Sequence, residues 1–269
     1  MTKMQCDMLN ILKEKEEKSL ITLLNEYGKI EVLSEAAQFL DKRSYLTIDI
    51  LGNLKRKKGN LTLPIFTFFD DNKLFSQEIL NSCDIRERQK FDKIERFSSL
   101  DLEKVKLNFI KTLFNGNIEF SKKYGKELFL RTNSEFFKVV SNFSLVGDST
   151  NVKPLMVLAL KKLMKDNYDE NIFHLFISYM TKYRDNTAIY ENVQEYTGDT
   201  ESLRKSLKEN TQLLNSFEGL GILSALKLID GIRVDNRAQA LGKIRFEIEN
   251  LKNYTPLNEI EKRLLEIFL

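Results

Sequence analysis

Apolar residues recur at helical spacing from one end of the chain to the other. Met8, Leu9, Leu12, Leu20, Leu23 and Leu24 run through residues 4–26, around a charged block from Lys13 to Lys18. Gly28 stands where a helix would close. Leu33, Ala36, Ala37 and Leu40 form a second stripe, and Tyr45, Ile48, Leu51 and Leu54 a third. The short gap between these two predicts an antiparallel helical hairpin. Residues 61–69 mix β-branched and aromatic side chains and could read as a strand. Pro64 is out of place in a central strand and suits a first helical turn, so helix is the better reading.

Capping signals divide the rest. Asp84-x-x-Glu87 and Ser98-x-x-Asp101 predict helices over 85–97 and 99–114, the second closed by Asn115-Gly116-Asn117. Phe136, Phe137, Val139, Val140 and Phe143 crowd one helix, which stops before the polar segment 147–151. Leu155 to Leu163 and Ile172 to Tyr183 give two apolar faces joined by Lys165-Asp166-Asn167. Helices near 187–196, 200–217 and 220–230 follow, then a long one through Ala238, Leu241, Ile244, Ile248 and Leu251. Thr255-Pro256 predicts an N-cap and first residue for the last helix.

The expected fold is therefore all-α: a multi-helix array over residues 1–269, with 147–151 as the place for a subdomain break. Such a chain closes into an irregular helical bundle or stacks into a HEAT/armadillo-like α-solenoid. Leu33, Ala36, Leu40 and Lys42 match Met156, Ala159, Leu163 and Lys165 at a constant offset, which favours stacking. The windows between them do not repeat the pattern.

Composition supports this picture. Only 3 prolines and 11 glycines break the chain, too few for an all-β protein, and 42% hydrophobic residues suffice for a real core. The 42 basic and 39 acidic residues leave +3, short of the excess expected of a dedicated nucleic-acid binder. No apolar leader precedes Cys6 and no window reaches a membrane span, so the expectation is a cytoplasmic protein.

Candidate chemistry is sparse. The single histidine, His174, sits between Phe173 and Leu175 and reads as a packed helix residue. Cys6 and Cys83 are isolated, so neither a disulfide framework nor a zinc site is legible. Asp70-Asp71 reads as a solvated helix-terminal pair. Gly219-Leu220-Gly221 lacks the preceding strand of a dinucleotide fingerprint and marks a helix start or a close helix crossing. No P-loop or nucleophile elbow is present. No catalytic residue, metal or cofactor is assigned, and the reading leans away from an enzyme.

Lys55-Arg56-Lys57-Lys58 is the most distinctive charged feature. At a helix C-terminus these cations would complement the macrodipole. Otherwise they offer a contact for phosphate, an anionic membrane surface or an acidic partner, which Lys122-Lys123 and Lys161-Lys162 would extend if the fold gathered them. The leading expectation is a non-catalytic interaction or scaffold protein binding another protein. The alternative is a nucleic-acid-associated protein using the run at 55–58, and a third reading has the helices enclose a small apolar ligand.

Overall fold

In the computed structural model the described residues are 3–41, 46–48, 50–52, 54–56, 58–87, 96–165 and 167–269. They form sixteen α-helices and one two-stranded ribbon, so the molecule is all-α but for that ribbon.

Helices α1 (Lys3–Glu14), α2 (Glu17–Tyr27) and α3 (Lys29–Leu40) open the chain. The apolar run at 4–26 is two helices rather than one. The break falls in the charged block, at Lys15 with φ 54°, where no apolar residue anchors the stripe. Gly28, with φ 85°, closes α2 as expected and at once begins α3.

The helix predicted through Ile48, Leu51 and Leu54 is an antiparallel ribbon instead: β1 (Leu46–Ile48) and β2 (Leu54–Arg56), with Thr47 opposite Lys55. Ile48 and Leu51 are exposed, so the supposed apolar stripe has no core to bury against. Without that burial, β-branched residues and a glycine turn prevail over helical periodicity. Tyr45 lies outside the described residues.

Residues 61–69 are indeed helical. In α4 (Thr62–Phe68) Pro64 occupies the first turn, and six of the seven residues are buried. Asp71 caps α5 (Asn72–Ser82) by accepting from the backbone N–H groups of Lys73 and Leu74, while the Asp70 side chain is exposed beside Lys29. A 3-10 turn at Ile85–Glu87 follows. Most of the helix expected over 85–97 lies outside the described residues.

Next come α6 (Leu102–Phe114), α7 (Ile118–Arg131), α8 (Asn133–Val146), α9 (Lys153–Leu163) and α10 (Glu170–Lys182). The cap of α6 is Asp101, not Ser98. Ser98 instead donates to Glu127 of α7 at 2.8 Å, which moves the helix start three residues on. Short α11 (Ala188–Asn192) precedes α12 (Thr200–Glu209), α13 (Thr211–Leu214) and α14 (Phe217–Gly231). The chain ends with α15 (Arg237–Asn250) and α16 (Glu259–Phe268). Asn258, not Thr255, caps α16 through a reciprocal capping box with Glu261. Thr255 is held by Glu218, and Pro256 bridges to Ser216, so both belong to the approach to the helix.

The core centres on α9, α10 and α14. Helix α14 is buried nearly all round, and α9 packs against α4, α8, α10 and α14. A Cβ on Gly221 would stand 2.0 Å from the Ser149 carbonyl oxygen. The glycine pair therefore marks a close crossing, as its lack of a preceding strand implied. Phe136 meets Phe109, Phe129 and Phe173 at 5.2–5.6 Å between ring centroids. These four rings are core.

Helices distant in sequence touch: α3 with α10, α4 with α9, and α4 with α16. A solenoid repeat contacts only its neighbours, so these contacts do not confirm stacking. The matched windows also differ in context, since α3 leads into the ribbon and α9 into another helix. Segment 147–151 holds a buried 3-10 turn, Ser149–Asn151, whose Ser149 N–H donates to Glu247 of α15 at 3.0 Å.

Candidate functional site: a cleft between two helices

Helix α6 carries more apolar surface than its core contacts use. Val105, Phe109 and Leu113 are buried, while Leu107, Ile110 and Phe114 form a second stripe over two turns. Leu107 is 53% and Phe114 50% exposed, and Ile110 is half-buried. An amphipathic helix needs one such stripe to reach the core. Ile110 and Phe114 of the second stripe face α8, where Val139, Phe143 and Val146 follow at spacings of four and three.

Between the two helices lies an open cavity of about 320 Å³. Its apolar walls are Ile110, Leu113, Phe114, Val139, Phe143 and Val146. Its polar margin comes from Lys106, Lys138, Asn142, Tyr190, Asp235 and Asn236. Asn142 locks the loop before α15 by donating to Asp235 Oδ2 at 2.8 Å and accepting from the Asp235 N–H at 2.9 Å. Lys138 reaches Asp235 at 3.0 Å, and Lys106 donates to Glu135 at 2.6 Å. That hydrogen bond raises the Lys106 pKa and lowers that of Glu135, keeping both charged. Burial pushes the Tyr190 phenol up.

Phe114 and Phe143 meet edge to face at 5.0 Å. Behind them is a second, smaller cavity of about 120 Å³, which shares Leu113, Phe114, Phe143 and Val146 and adds Thr181, Tyr183, Arg184, Asp185 and Thr187. At its floor Asp185 accepts hydrogen bonds from both Lys153 Nζ and Asn151 Nδ2. Lys153 is 1% exposed, and its ammonium stands 4.4 Å from the Phe143 ring centroid. Tyr179 donates to the Asn151 carbonyl at 2.7 Å. Val152, between the two donors, has φ 41°, a left-handed conformation costly for a β-branched residue. The strain sits where two side chains must converge on one carboxylate.

The basic run lies elsewhere. Lys55 and Arg56 belong to β2, so the helix-terminus role imagined for the run does not arise. Their side chains, and Lys57 altogether, are outside the described residues. Lys58 is committed to the C-terminal helix: Nζ donates to Glu261 at 2.6 Å and stands 4.4 Å from the Phe217 ring centroid. The other lysine pairs do not join it. Lys123 is paired with Glu119 on its own helix. Lys161 reaches the Gly231 carbonyl, at the opposite end of α14 from Phe217.

His174 is buried, 3.8 Å from Glu170. Burial, helped by Lys122, lowers its pKa to about 4, so it is neutral near pH 7. Cys83 is half-buried, and the Cys6 side chain lies outside the described ones. Among the described residues no cluster of three or more His, Cys, Asp or Glu could hold a metal. No described helix is long and apolar enough to cross a membrane.

Comparison with family models, curated protein sequences and solved structures found no match. Sequence reasoning missed the cleft, although its signal was present in the second stripe of α6. Nothing in the sequence marks Asp185, because its partners lie more than thirty positions away.

Proposed function

We propose that this protein is an interaction or scaffold protein that receives an amphipathic helix of a protein partner in the α6–α8 cleft. The observation that carries this reading is the open, apolar-walled cavity of about 320 Å³, lined by exposed Phe114, with exposed Leu107 one turn before Ile110 on the same helix. Helix-in-groove recognition uses anchors spaced at i, i+3 or i+4, and i+7. The stripe from Leu107 to Phe114 runs about 10 Å along α6, roughly two turns, which matches the span of such anchors on an inserted partner helix. The wall charges are already paired, so they orient a partner more than they attract it.

A photo-crosslinking amino acid at Leu107, used in the native cell, tests the reading. The expected result is one protein partner, cross-linked within one amphipathic segment. A synthetic peptide of that segment should bind the full chain and lose at least about tenfold in affinity against Ile110→Glu, in line with truncation of a central anchor. A peptide that binds wild type and Ile110→Glu equally, or no peptide binding at all, overturns the proposal. Circular dichroism of the variant separates lost contact from lost fold.

A further inference from the structure

Strands β1 and β2 form a ribbon that interrupts the helical array. Its two strands pair with each other, and among the described residues no third strand joins them. Two-stranded ribbons are marginal in water unless an apolar face finds a partner. Here the turn region does the opposite and displays its apolar residues: Ile48 is 71%, Ile50 102% and Leu51 81% exposed. Gly52, at φ +83°, has nothing within 4 Å of where a Cβ would stand. The tip therefore projects into open space.

Charge is concentrated at the same place. Residues 42–58 contain six cations (Lys42, Arg43, Lys55, Arg56, Lys57 and Lys58) and one acid, Asp49, a net of 6 − 1 = +5. The whole chain carries +3, so all remaining residues together carry 3 − 5 = −2. The positive character of this protein is thus a property of one short segment. Lys58 is shared with Glu261, and the side chains of the other five lie outside the described residues.

We infer that the ribbon is a docking element for an anionic membrane surface, with Ile48, Ile50 and Leu51 entering the headgroup–acyl boundary and the flanking cations engaging lipid phosphates. Peripheral attachment requires two signals, an apolar insertion and a polybasic patch, and this segment supplies both within seventeen residues. A nucleic-acid duplex would use the cations and can take a single aliphatic wedge between base steps, but three aliphatic side chains beside a polybasic run match a headgroup–acyl boundary better. The inference is independent of the α6–α8 cleft, and either proposal stands if the other fails.

Co-sedimentation of the full chain with vesicles tests it. Binding is expected to phosphatidylcholine vesicles containing about a third phosphatidylglycerol and not to pure phosphatidylcholine, and it should weaken as salt screens the charges. Ile50→Ser with Leu51→Ser should lower the affinity at least about tenfold, and so should Lys55→Gln, Arg56→Gln and Lys57→Gln together. Thermal unfolding of each set beside wild type separates lost contact from lost fold. The chain has no tryptophan, so Leu51→Trp gives a single reporter, whose emission should shift blue on anionic vesicles and be quenched by brominated acyl chains. No binding, equal binding to both vesicles, or indifference to the Ile50 and Leu51 changes overturns the inference. Binding to a short DNA duplex that depends on the lysines but not on Ile50 and Leu51 overturns it in favour of nucleic acid.

Discussion

Lys153 and Asp185 form a buried ion pair beneath the cleft, with Phe143 of the cleft wall lying against the ammonium. The pair joins the first turn of α9 to the loop after α10, and Asn151 completes the carboxylate's hydrogen bonds. Both partners are nearly inaccessible, so neither can turn to water if the other is lost. Replacing Asp185 with Ala should therefore destabilise the protein by about 3–5 kcal/mol. Adding Lys153→Met should recover much of that loss, because it removes the uncompensated charge. Urea unfolding of the two variants checks this; a double variant no more stable than the single one would refute the account.

The α14 glycines are predicted to behave in opposite ways. Gly221→Ala puts a methyl into the Ser149 backbone and should cost about 1–3 kcal/mol as an overpacked contact. Gly231, in the last position of the same helix, has open space around it, so Gly231→Ala should be neutral or stabilise by up to about 0.5 kcal/mol. Thermal unfolding of both variants gives the comparison.

His174 should make the protein sensitive to acid. Its folded pKa is about 4, lowered by burial and then by Lys122, with Glu170 opposing and Lys126 adding a small push in the same direction. The unfolded chain takes up the proton near pH 6.5, which the folded state refuses until about pH 4. Stability therefore falls as pH drops through that window, by about 3 kcal/mol in all, and is unaffected by this group above it. Urea midpoints of His174→Gln between pH 7 and 4 should fall less than those of wild type. Parallel curves would show that other groups carry the acid response.

Glu261 holds the C-terminal helix in two ways, as its capping-box acceptor and as the partner of Lys58. Glu261→Ala should cost about 1–3 kcal/mol. Lys58→Met should cost less, since Lys58 is partly exposed and its loss leaves the cap intact. Hydrogen exchange should show the loosening confined to α16 and the 255–258 approach. Uniform loss of protection across α9 and α14 would contradict this.

Local signals made many of the helices legible. Pro64 in its first turn, Asn115-Gly116-Asn117 after α6, and the apolar periodicity of α9, α10, α14 and α15 each depend on neighbours within a few positions. Periodicity misled where burial was absent, at Ile48 and Leu51, and capping signals misled where Ser98 and Thr255 had better distant partners in Glu127 and Glu218. The candidate cleft was only half legible. Leu107, Ile110 and Phe114 are visible as an excess stripe, but their facing wall on α8 and the loop pinned by Asn142 are not.

The basic run at 55–58 shows the same division. Its existence and its share of the total charge are facts of sequence, and they hold whatever the fold. That it lies on and beside an exposed ribbon, with Lys58 drawn across to Glu261, was decided by tertiary structure alone. Helical periodicity is a short-range property, written into spacings of three and four. Which polar side chain finds which partner, and which apolar face is left uncovered, depends on how distant helices close on one another, and no local pattern encodes that.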